Sequence, residues 1–190
     1  MADFHLETER LIIRNWFEDD RELFYRINSD DQVMEFFPIR RDRMASDKMM
    51  DDLRTNIIRD GYGFTAIALK ENNQAIGFCG LADATSDNPE QDEEIEIGWR
   101  LAPEYWGNGY VTESAQRLLK FGFHDLRLKR IISFAVDTNH RSFAVMERIG
   151  MKRDRDGDFD HARVPDSHPH LKRHRTYVIS RQDYLSLNNE

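Results

Sequence analysis

APEYWGNGYVTESAQRLLKFGF, residues 102–123, sets a glycine-asparagine-glycine loop against the start of a helix. Val111, Ala115, Leu118, Leu119 and Gly122 recur at the spacing of one helical face. Helix N-termini leave backbone N–H groups unpaired and carry a partial positive charge. Gly107 and Gly109 place no Cβ in front of those groups, so an anion can approach them. The spacing is neither Gly-x-x-x-x-Gly-Lys-Ser/Thr nor Gly-x-Gly-x-x-Gly, which sets it apart from the Walker and dinucleotide loops. Taken alone, such a turn reads as a plain strand-to-helix connection. Its neighbours decide.

Immediately upstream, residues 94–101 alternate strictly. Ile95, Ile97, Trp99 and Leu101 share one face; Glu94, Glu96, Gly98 and Arg100 share the other, as in a strand. Farther out, residues 8–16 read as a strand with Leu11 and Ile13 on one face. Asp19 and Asp20 open a helix through Leu23, Phe24 and Ile27 that ends over 28–31. Ser46 is the expected cap of a second helix carrying Met49, Met50, Leu53 and Ile57, stopped by residues 61–63. Residues 64–84 form a hairpin around 71–74, followed by a polar acidic loop over 83–92.

Downstream, residues 130–136 read as a buried strand and 139–149 as a short helix ended by Gly150. Residues 175–181 form the last strand. The polar stretch 154–174, with Pro165 and Pro169, is expected to be a long loop or an irregular hairpin. Without repeats or linkers, the chain reads as one domain over 1–190.

Of 190 residues, 39% are hydrophobic and 33% charged, which suits a soluble globular protein with a sizeable core. No apolar run approaches the ~18 residues of a membrane span. Residues 1–5 lack the basic start and apolar stretch of a signal peptide. A net charge of −8 argues against a nucleic-acid partner and is compatible with a cationic acceptor such as an amine. The acidic run with Asp83, Asp87, Glu90, Asp92, Glu93 and Glu94 either attracts such an amine or is a solvated loop. The single cysteine, Cys79, leaves no internal disulfide and points to a reducing cytoplasm. Its place in a hairpin strand makes it a small buried hydrophobe. His161, His168, His170 and His174 lack a recognised zinc spacing and read as solvated loop residues, so no metal is expected.

Three segments in order, LETERLIIR (6–14), EIGWRLAPEYWGNGYVTES (96–114) and NHRSFAVMERIGM (139–151), resemble the GNAT superfamily of N-acetyltransferases. The match is nearest its RimJ/RimL-like branch, which acetylates protein N-termini and assorted amines, and it spans nearly the whole chain. The resemblance implies an α+β fold with a mostly antiparallel sheet of six or seven strands and helices on both faces. Two central strands, here about 93–101 and 128–136, would splay apart around acetyl-CoA. The family's pyrophosphate donors fall on the backbone of Trp106, Gly107, Asn108, Gly109, Tyr110 and Val111. The pantetheine arm would run along Trp99, Arg100 and Leu101, and Asn139 would bind its amides. Helix capping by Asn139 and Ser142 is the alternative, and both roles can hold together.

Acetyl transfer requires a neutral amine, hence a base or a water relay. Glu96 lies opposite the apolar face of its strand and matches the branch's glutamate before Ile-Gly; Glu94 is the fallback, and a solvent-facing residue the plain alternative. Many relatives protonate the leaving thiolate with a tyrosine at the position of Met146; here Ser142 is the available donor. Phe36, Phe37 and Pro38 would line the acceptor pocket or close the core. The acceptor is a protein N-terminus or a small amine such as a polyamine, amino acid or antibiotic, and the protein a monomer or homodimer. Two other readings stand beside this one: a CoA-binding sensor or scaffold without catalysis, and a phosphate-binding module unrelated to CoA.

Overall fold

The computed structural model describes residues 4–84 and 94–188. Its strands are β1 (His5–Glu7), β2 (Leu11–Arg14), β3 (Phe64–Leu69), β4 (Ala75–Asp83), β5 (Ile95–Leu101), β6 (Arg130–Val136), β7 (Lys152–Asp160) and β8 (Arg173–Ser180). The helices are α1 (Arg21–Ser29), α2 (Arg43–Asp60), α3 (Tyr110–His124), α4 (His140–Arg148) and α5 (Arg181–Asn188). The sheet order is β1-β2-β3-β4-β5-β6-β8-β7. Its β5–β6 pair is parallel, and all other neighbours are antiparallel.

The period-two pattern sorts the sheet's two faces. Leu11, Ile13, Ile67, Ile97 and Leu101 pack against Leu118, Leu119 and Phe123 of α3, with Phe143 and Met146 of α4 and Tyr184 of α5 in the same core. On the opposite face, Ala66 and Phe78 meet Phe24 and Ile27 of α1 and Met50 and Ile57 of α2. Glu96, Gly98 and Arg100 belong to this second face by alternation along β5. Cys79 is buried in β4, where loss of solvation pushes its thiol up to about 12.

Several expectations need correction. The sheet has eight strands rather than six or seven. The first expected strand is broken: residues 8–10 form a turn between β1 and β2. Of the two forms expected for 154–174, the irregular hairpin is the one present: residues 152–160 form β7, which pairs antiparallel with β8. Charged residues and an irregular register between Asp154 and Phe159 hide its period, as suits a strand at the sheet edge. β8 begins at Arg173, so His174 lies in a strand, buried and stacked at 5.6 Å on Phe159. His161 is partly covered as well, and burial moves its imidazole below the usual value, with Arg163 adding to the effect. These two are therefore not solvated loop histidines. Ser46 is buried inside α2, while Asp42 caps that helix through a 2.8 Å bond from the Ala45 N–H. The last helix, α5, carries its own signal: Ser180 and Asp183 bond reciprocally in a Ser-x-x-Asp box.

Candidate active site

Parallel neighbours β5 and β6 are joined at one end and open at the other. Arg130 at the start of β6 grips both carboxylate oxygens of Glu94, at 2.7 and 2.9 Å. Glu96 then pairs with Ile132. One step on, the buried Ser133 hydroxyl donates to the Ile97 carbonyl at 2.8 Å. Beyond that point β5 keeps its register with β4 through Trp99 and Arg100 to Leu101, while β6 keeps its own with β8 as far as Val136. The two strands thus part toward their C-terminal ends, the side on which ligands sit in open α/β sheets. Ser133 had no motif to announce it. Its role exists only because β5 lies opposite.

At the open end of β5, a short 3₁₀ turn (Pro103–Tyr105) leads into the glycine loop and α3. Gly107 and Gly109 take left-handed φ values of 77° and 79°, which a residue with a Cβ adopts only under strain. A Cβ built on Gly107 meets nothing within 4 Å, so the loop's outer side is open space. Asn108 folds back, its Nδ2 donating to the carbonyls of Tyr105 (3.2 Å) and Trp106 (3.1 Å). No side chain caps α3 at Gly109. The first turn of the helix, with Tyr110 and Val111, therefore presents an uncapped N-terminus to that space. Trp106 has a different part: its N–H closes the turn onto the Pro103 carbonyl at 3.1 Å, and its indole donates to the Leu101 carbonyl at 2.8 Å.

The opening segment LETERLIIR holds this helix end in place, a role that sequence reasoning missed. Glu113 accepts from the Thr8 hydroxyl (2.5 Å), the Arg10 backbone N–H (2.9 Å) and Arg10 Nε (2.7 Å). The Arg10 guanidinium also covers the Tyr110 ring at 4.6 Å. Burial pushes the Glu113 carboxyl up, but its bonds to Thr8 and Arg10 outweigh this and hold it below the ordinary carboxylate range.

Across the opening, α4 is capped by its own chain. The Asn139 side chain accepts from the Ser142 N–H at 3.2 Å. Ser142 is half-buried, and its hydroxyl has no partner among the described residues. Met146, one turn later, is 1% exposed and belongs to the core. Phe36 packs on Val136, Val164 and Leu171, and Phe37 lies over the Arg100 guanidinium at 4.3 Å. Most of the acidic run, residues 85–93, lies outside the described residues.

A family model described as "Acetyltransferase (GNAT) domain" matches residues 10–152, which contain the split pair, the glycine loop and α4. The chain belongs to the GNAT acetyltransferase family. YnaD of Bacillus subtilis (strain 168), described as an uncharacterized N-acetyltransferase, is 29% identical over 150 residues, covering 79% of this chain and 84% of its own length. YdaF of the same organism, named as a candidate ribosomal N-acetyltransferase, is 36% identical over 73 residues, 38% of this chain and 39% of its own. The crystal structure of a GNAT-family acetyltransferase from Bacillus anthracis matches with a TM-score of 0.77 and 27% identity, covering 94% of this chain and 99% of that one. This GNAT protein is an N-acetyltransferase, and its fold is a mixed α/β, mostly antiparallel sheet flanked by helices.

Proposed function

We propose that this chain works as a single domain, in the RimJ/RimL-like manner, and transfers acetyl from acetyl-CoA to a primary amine. The observation that carries the reading is the split β5–β6 pair, whose open end meets an uncapped, glycine-led helix. The loop fits a pyrophosphate: Gly107, Asn108, Gly109, Tyr110 and Val111 supply an open run of backbone at a helix N-terminus. Trp106 forms the wall beside it, since its N–H and indole are already engaged. Past the Glu96–Ile132 pair, the edge of β5 at Trp99, Arg100 and Leu101 offers backbone to a pantetheine arm. Asn139 stands at the facing helix start. Acetyl-CoA, when bound, supplies an activated thioester.

The residues of the chain then handle protons. An amine substrate is mostly protonated near neutral pH, with a pKa of about 7.7–8.0 for an α-amino group and about 10.4 for a lysine. Glu96, on the α1–α2 face beside the point where the strands part, takes that proton directly or through one water. Glu94 is less suited, because both of its oxygens face Arg130. Ser142 donates a hydrogen bond toward the departing sulfur, since Met146 has no proton to give. The acceptor is a protein N-terminal α-amine, which the likeness to YdaF over 73 residues supports, or a small amine.

A thiol-release screen over N-terminal peptides and small amines, with mass spectrometry for retained CoA, tests the proposal. Amine-dependent thiol release is the expected result. CoA retention without any amine-dependent release would instead support the sensor reading. Absence of CoA affinity would remove both.

A further inference from the structure

Arg100 on the second face of β5 and Arg41 in the α1–α2 connection form a pair of arginines with no carboxylate partner among the described residues. Arg100 follows Glu96 on this face by four residues, about 13 Å between Cα atoms at strand rise. Gly98 separates them, and a Cβ there would meet the Phe64 ring at 3.0 Å, so an aromatic floor lies between carboxylate and guanidinium. Arg100 Nη1 donates to Oδ1 of Asn28, which is 0% exposed. Asn28 is itself fixed by its Nδ2 bond to the Phe24 carbonyl at 2.7 Å. Its backbone carbonyl accepts from the Arg41 N–H at 2.9 Å, which brings the α1–α2 connection to the same place.

Arg41 and Arg100 each keep a buried Nε without a hydrogen-bond partner. Neither has a carboxylate partner among the described residues. Their neighbours in sequence behave differently: Arg26 pairs with Glu104 at 2.6 Å, Arg40 with Asp31 at 2.8 Å and Arg43 with Glu22 at 2.7 Å. Burial, with a further push from Arg41, lowers the Arg100 guanidinium to about 9. Such a donor pair is costly to hold in the fold unless something negative meets it. A guanidinium matches the two oxygens of a carboxylate or phosphate. Phe37, over Arg100 and 42% exposed, forms a wall between this pair and solvent.

We propose that Arg41 and Arg100 form an oxyanion subsite in the acceptor pocket, so that the acceptor is a primary amine that also bears a carboxylate or phosphate. This rests on the acetyltransferase reading and narrows its substrate class. The acceptor's amine lies toward Glu96 and its oxyanion toward Arg100, spanning the Phe64 floor.

The test uses matched probes with the full chain and saturating CoA, read by calorimetry, so that binding is seen without turnover. Glycine, β-alanine and γ-aminobutyrate are each compared with their amides, and phosphoethanolamine with ethanolamine. At least one acid is expected to bind tenfold or more tightly than its neutral partner. The phosphate arm shows which oxyanion is preferred. In Arg100→Met and, separately, Arg41→Met, that ratio should fall toward one; circular dichroism checks that each variant is folded, and Arg41→Met keeps the test open if Arg100→Met is not. No preference for any acid in the parent, or a ratio preserved in both variants, would overturn the subsite. Thiol release with the same probes reports separately on the acetyltransferase reading, since binding preference does not depend on it.

Discussion

The β5–α3 unit and the β6–α4 unit border one cleft with the same parts, a parallel strand leading to a helix, yet they treat their polar groups in opposite ways. Before α3 the chain turns through left-handed glycines and leaves the helix end uncapped. Before α4, Asn139 caps the helix with its own side chain. On β5, Glu96 and Arg100 project to the α1–α2 face; on β6, Ser133 uses its hydroxyl to hold the Ile97 carbonyl. The difference teaches that like parts can be finished differently. The first unit leaves backbone donors open at its helix end. The second turns its polar side chains onto the chain's own backbone, Asn139 to the Ser142 N–H and Ser133 to the Ile97 carbonyl.

Four variants break or sharpen that contrast. The largest effect is expected from Gly109→Trp, which fills the space in front of α3. CoA binding should be lost in a calorimetric titration, together with about 1–2 kcal/mol of stability from the left-handed φ. If CoA affinity survives in this variant, the uncapped helix end is not an anion cradle.

Glu96→Gln comes next. Removal of a general base typically costs 10²–10⁴-fold, so turnover should fall roughly a hundredfold or more at neutral pH. CoA affinity should hold, and the defect should shrink at high pH, where the amine is already neutral. A pH–rate profile matching the parent's would move the base elsewhere and weaken the assignment of chemistry to β5.

Glu113→Ala tests the clamp between the first unit and the β1–β2 turn. Hydrogen bonds to a charged group contribute about 1.5–3 kcal/mol, so a loss of that order is expected at neutral pH. The Glu113 carboxyl is held below its usual range, so its contribution is present above the unfolded value of about 4.3 and fades as pH falls through the folded one. Denaturant melts of parent and variant should therefore converge in acid. A gap that persists at low pH would assign the loss to packing instead.

The smallest effect is expected for Ser142→Ala. A serine hydroxyl is a weak acid, so its help is a hydrogen bond to developing charge on the sulfur. Single-turnover rates with saturating acetyl-CoA should drop moderately, by less than in Glu96→Gln. An unchanged rate would leave Ser142 as a capped residue of α4 and place all the chemistry on the first unit.

Periodicity settled much of this architecture in advance. Residues 95–101 alternate because a strand does, and their apolar half packs in the α3 core as the pattern requires. The α2 stop at Gly61, the strand over Arg130–Val136 and the Asn139 cap are equally local, fixed by φ preference and side-chain reach. The charged strand β7 was legible only as one of two alternatives, an irregular hairpin or a loop, because an irregular edge strand need not alternate. Nor was the turn at residues 8–10, whose Thr8 and Arg10 acquire their purpose only from Glu113.

The sequence by itself determined which residues could carry chemistry: a glycine loop before a helix, a glutamate on the polar face of a strand, and a serine one helical turn before Met146. Tertiary structure decided which of them face one another. Glu94 is occupied by Arg130, Ser133 marks where the strands part, and Arg41 meets Arg100 across Asn28. The physical reason is range. Backbone preference and side-chain period act over a few residues, whereas ion pairs and shared burial join residues far apart in the chain, and nothing in the local pattern records those partners.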